Sequence, residues 1–90
     1  MDFSIINTVN KLLKKRGMKQ EYIAFVEVGR GALSPSIKVY HVTLYKVVYG
    51  DVVSKFIVDK FTEGGVFKNE EQVKSVLEEK LTEYFLNNGI

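Results

Sequence analysis

Few side chains here are of the kinds that do chemistry. His41 is the single histidine, so no paired-histidine metal site and no triad with a second histidine can be built within one chain. Asp51, Asp59 and Glu63 fall in one stretch with Lys55 and Lys60. Carboxylates beside a lysine are the raw material of metal-assisted phosphodiester cleavage, but that chemistry needs them to converge. Asp51 suits a turn, Asp59 points away from the core, and no acidic-x-lysine pair follows on one side of the strand. Cysteine is absent, which removes thiol nucleophiles, thiolate metal sites and disulfides together. These residues predict a non-catalytic protein with no metal, no cofactor and no small-molecule ligand.

Lysine clusters offer a second chemistry. Lys11, Lys14, Lys15 and Lys19 precede the first strand, and Arg30 lies in the glycine-containing stretch GRGALSPS, residues 29–36. Clustered cations track phosphates, so these five residues outline a nucleic-acid reading. A solvated helix face with cations at the negative end of the helix dipole accounts for the same pattern. GRGALSPS lacks the strand, glycine turn and helix order of a phosphate-binding loop. It reads as a connection, with Leu33 available to a partner.

The elements that position these residues follow from periodicity. Ninety residues, 46% hydrophobic and 27% charged, predict one folded domain, 1–90, with a modest core. Ile5, Ile6, Val9, Leu12 and Leu13 form a stripe at helical spacing, and Gly17 after Lys14, Lys15 and Arg16 is a stop signal, so helix 1 spans about 3–16. Alternating β-branched and aromatic residues predict strands at 21–28, 37–49 and 52–61, the last two joined by a two-residue turn at Gly50-Asp51. Asn69 is an N-cap with Gln72 three residues on, and Val73, Val76, Leu77, Leu81 and Tyr84 mark helix 2. The fold class is α+β, a three-stranded antiparallel sheet with two helices in the order α-β-β-β-α, in two layers, the alternative being one helix on each face of the sheet.

That order resembles the double-stranded RNA-binding domain over nearly the whole chain. The family grips phosphates with a basic cluster at the start of its last helix. Here those positions read Asn69-Glu70-Glu71, which repel them.

With Gly50-Asp51 as the turn, Tyr49 faces Val52 and every later pair is set. One face then carries Val39, His41 beside Lys60, Thr43, Tyr45, Val47, Phe56 and Val58. It has the fewest charges and is assigned to the core, with Tyr22, Ala24, Val26 and Val28 of the first strand. The other face carries Ile23, Phe25, Tyr40, Val42, Leu44, Val48, Val53, Ile57 and Phe61, with Lys46 directly opposite Lys55 and Lys38 opposite Glu63. Such a patch exceeds what monomers usually expose.

The sequence therefore predicts a binding or assembly protein. Phe25, Tyr40, Val42, Leu44, Ile57 and Phe61 supply the apolar contact, and Lys46 and Lys55 pair acidic groups of the partner. The partner is a second copy in a two-fold dimer, or a larger protein gripped as a viral or accessory inhibitor grips its host target. Nucleic acid is the alternative. No apolar run reaches membrane-spanning length and no secretory signal is evident, which predicts a cytoplasmic protein without a membrane partner.

Overall fold

In the computed structural model, which describes residues 1–33 and 35–90, the chain forms α1 (Ser4–Lys15), β1 (Gln20–Arg30), β2 (Lys38–Val48), β3 (Ser54–Gly64) and α2 (Glu70–Asn87). The strands pair antiparallel in the order β1-β2-β3. Both helices lie on one side of the sheet: Phe3, Ile6, Val9 and Leu13 join Val73, Leu77, Leu81 and Phe85 in a single cluster with Tyr22, Tyr40, Val42 and Leu44. The molecule has two layers, and one face of the sheet carries no helix.

Local signals set the helix ends. Gly17 takes a φ of 73°, and the Met18 amide donates back to the Leu13 carbonyl at 3.0 Å, closing α1 with a left-handed residue. At the start of α2 the Asn69 side chain accepts from the Gln72 amide at 3.1 Å, as a cap should. The start of α1 has no side-chain cap of its own. Instead Glu78 of α2 places Oε1 2.6 Å from both the Ile5 amide and the Ser4 hydroxyl, where a carboxylate also meets the positive end of the helix dipole.

The hairpin differs from expectation in its connection and in its register. β2 ends at Val48 and pairs it with Ser54, so the connection is Tyr49–Val53 and not a two-residue turn. Gly50 does not adopt the positive φ that a glycine-first two-residue turn needs. Farther along, Tyr45 pairs with Ile57 but Leu44 pairs with Asp59, leaving Val58 as an extra residue in a β-bulge.

The assignment of Tyr40, Val42, Leu44 and Phe61 to the solvent face is corrected by their burial. Tyr40 is 6%, Val42 1% and Leu44 0% exposed, and Phe61 is half-buried with its ring 6.1 Å from that of Tyr84 on α2. Lys46 shares their side, yet it need not be buried. It lies near the tip, past the last turn of α2, whose Tyr84 and Asn87 reach Phe61 and Asp59 on β3, while Lys46 pairs one step farther out with Phe56. There Lys46 Nζ sits 6.0 Å from the centre of the exposed Phe56 ring. A charge test applied to the whole strand counted against the core a lysine that stays at the edge of water.

Three related expectations change with it. Lys46 and Lys55 are not opposite: their partners are Phe56 and Val47. Glu63 pairs not with Lys38 but with Lys80 of α2, at 2.8 Å, which raises the Lys80 pKa through the hydrogen bond and the carboxylate charge. His41 stands beside Thr62 and not Lys60. On β1, Tyr22, Ala24 and Val26 do face the core, while Val28 is exposed because α1 begins beside Ala24.

Candidate functional site

The helix-free face can be laid out in rows, each running β1, β2, β3: Glu21, Val47, Lys55; then Ile23, Tyr45, Ile57; then Phe25, Thr43, Lys60; then Glu27, His41, Thr62. Alternation along the strands puts all twelve on one side, and the bulge at Val58 keeps Lys60 and Ile57 in that set although they are three apart. Ile23 is 42% exposed, Phe25 54% and Ile57 57%, so the apolar centre faces water around Tyr45. The tip continues this surface with the exposed Tyr49, Val52 and Val53.

Several polar groups at the margin have definite partners. Lys55 folds its ammonium over the Tyr45 ring, 4.0 Å from the centroid, a cation–π contact that keeps the charge wet while its stem covers apolar surface. Tyr49 donates its hydroxyl to the Glu21 carboxylate, and that hydrogen bond to an anion raises the phenol pKa. His41 Nδ1 lies 3.1 Å from Thr62 Oγ1. Val47 is buried without joining the main core; it sits between Glu21 and Lys55 in the sheet. Acidic side chains thus occupy β1 and basic ones β3, with an apolar band between.

The strand edges are less available than the face. At Tyr22, the outward amide and carbonyl of β1 are both engaged by Asn10 of α1, at 2.7 and 2.9 Å. β3 carries the bulge, which breaks the ladder another strand would extend.

Of the residues singled out from the sequence, Phe25, Lys55 and Ile57 lie on this face, Tyr40, Val42, Leu44 and Phe61 lie beneath it, and Lys46 lies on the helix side of the tip. Tyr45, Thr43, Glu21, Glu27 and Lys60 belong to the surface but were not singled out. Their signal was the period-two pattern itself, readable once the strand partners are known. Of the candidate phosphate-binding residues, Lys11, Lys14 and Lys19 line one shallow cleft with Asn7, Asn10, Met18, Glu21 and Tyr49. Lys15 is not part of its lining. Arg30 lies at the opposite end of β1 and donates to the Pro35 carbonyl at 3.4 Å.

Among the described residues, no group of three or more histidine, aspartate or glutamate side chains could hold a metal ion. Among these residues, too, no helix is long and apolar enough to cross a membrane. No known protein family matches the chain, and no curated protein or solved structure is similar to it.

Proposed function

We propose that the chain is a non-catalytic binding or assembly module whose contact surface is the helix-free face of the sheet. The observation that carries this reading is the row of exposed Ile23 and Ile57 on either side of the half-buried Tyr45, together with exposed Phe25. Covering a half-exposed aliphatic or aromatic side chain returns about 1 kcal/mol, and several such residues side by side form a hot-spot centre with a charged rim. The occupant is a protein surface, either a second copy of the chain or a larger protein gripped in the manner of an accessory or viral inhibitor. Phe25, Ile57 and Lys55 remain in the proposed site, joined by Ile23, Tyr45, Glu21, Glu27 and Lys60.

The test is covalent trapping in the cells that make the protein. A benzophenone side chain replacing Phe25 is expected to give discrete adducts that disappear when Ile57→Arg is added, whereas the same group replacing Glu71 on α2 gives none. Absence of any Ile57-dependent adduct overturns the reading.

A second reading rests on the cleft that gathers Lys11, Lys14 and Lys19: nucleic acid bound through its phosphates. Such affinity falls steeply with ionic strength. A short duplex and a single strand that both fail to bind at low salt eliminate it.

A further inference from the structure

Resting on the proposed binding face, we infer that its occupant is a second copy of this chain, packed sheet on sheet about a two-fold axis that runs parallel to the strands. Two in-plane axes can bring identical three-stranded faces together, and they differ in which strand meets which. An axis across the strands lays β1 over β1 and β3 over β3. Row order is then reversed, so the acidic margin of β1 lies over the same acidic margin of the partner, with Glu21 towards the partner's Glu27, and the basic margin of β3 lies over its basic counterpart. An axis along the strands lays β1 over the partner's β3 and leaves each row at its own level.

The second arrangement is self-complementary row by row. Glu21 and Lys55 share a row, so Glu21 meets the partner's Lys55 twice by symmetry. In the next row Ile23 meets the partner's Ile57, and Tyr45 packs on the axis against the partner's Tyr45. Phe25 then faces the partner's Lys60, which Glu27 flanks one row away. Acid on one outer strand and base on the other, both on one face, is what an isologous interface of this axis requires.

The edges point the same way. Pairing through β1 would displace Asn10 from Tyr22, and pairing through β3 would meet the bulge. The size is modest: the four rows and the tip, three strands wide, outline roughly 500 Å² per protomer and about 1,000 Å² for the pair, the small end of specific interfaces, so association is expected near micromolar or weaker.

The experiment is sedimentation velocity across a concentration series reaching the high micromolar range. Wild type is expected to dimerise. Glu21→Lys and Lys55→Glu are each expected to weaken dimerisation roughly tenfold or more, and an equimolar mixture of the two to associate again as a heterodimer, because both cross pairs are then opposite in charge. Glu27→Lys with Lys60→Glu gives a second, independent mixture. Far-UV dichroism and thermal midpoints like those of wild type confirm that each variant is folded. A mixture that stays monomeric overturns the inference, and tighter association by Glu21→Lys alone overturns it in favour of β1 over β1. Monomeric wild type throughout also overturns it, and if Ile57-dependent adducts persist in cells the binding reading stands with a foreign partner. Loss of both removes that reading too.

Discussion

The two sides of β2 carry similar amounts of apolar surface and serve opposite ends. On one side Tyr40, Val42 and Leu44 are sealed beneath the helices; on the other Thr43 and Tyr45 lie in a face open to water. Hydrophobicity alone does not separate them. Charge placement along neighbouring strands does: the open side is rimmed by Glu21, Glu27, Lys55 and Lys60, all four on the outer strands, while Glu63 on the sealed side is neutralised by Lys80.

The largest expected effect comes from breaking the sealed side. Leu44→Ala should cost about 2–5 kcal/mol in chemical denaturation, because the site is enclosed and leaves a cavity, whereas Ile57→Ala across the sheet should stay near 1 kcal/mol or below for the protomer. If Ile57→Ala proves as costly as Leu44→Ala, the contrast between the sides fails. Next come the contacts that tie the helices to each other and to the sheet. Asn10→Ala strips two hydrogen bonds from Tyr22, and Glu78→Ala strips the start of α1. Each should lose about 1–2 kcal/mol in urea unfolding. Asn69→Ala, which removes a cap within one helix, should cost about 1 kcal/mol.

Smaller still is a pH effect on the sealed side. Burial chiefly, and the neighbouring Tyr84 phenol secondarily, raise the Tyr22 pKa above its ordinary 10.0. The folded state therefore holds this proton more tightly than the unfolded chain. The resulting stability is fully present below about pH 10 and is lost as pH climbs through the higher folded value. Tyr22→Phe should flatten the alkaline decline seen in thermal midpoints, and an unchanged decline would assign it to other groups. The Lys80–Glu63 pair is exposed at its lysine end, and Lys80→Met should change stability least, with any effect fading in added salt.

Much of the architecture was legible in the residues because its causes are local. Gly17 ends α1, Asn69 starts α2, and the alternation in Tyr22, Ala24 and Val26 names a core face without reference to anything distant. The face of β2 was not legible by the same route. Lys46 looked like a core violation because a sequence does not say where a helix stops covering a strand. The five-residue connection Tyr49–Val53 was hidden by Gly50-Asp51, a pair that also suits a tighter turn. Glu78 as the cap of α1 pairs residues more than seventy positions apart, and no local rule reaches that far. Phe25, Ile57 and Lys55 lie on the open face to which the sequence pattern assigns them, while Tyr45 and the acidic margin follow only from the register.

Val58 sets which way the start of β3 points. Ile57 and Phe61 stand four apart and would share a side in a regular ladder, yet one looks to water and the other to Tyr84. Removing that single residue while Phe61 stays anchored would turn Ser54–Ile57 over, sending Phe56 outward and Lys55 and Ile57 inward. A one-residue deletion there would exchange the chemistry of a whole margin, while a change of length in Tyr49–Val53 would only reshape the tip.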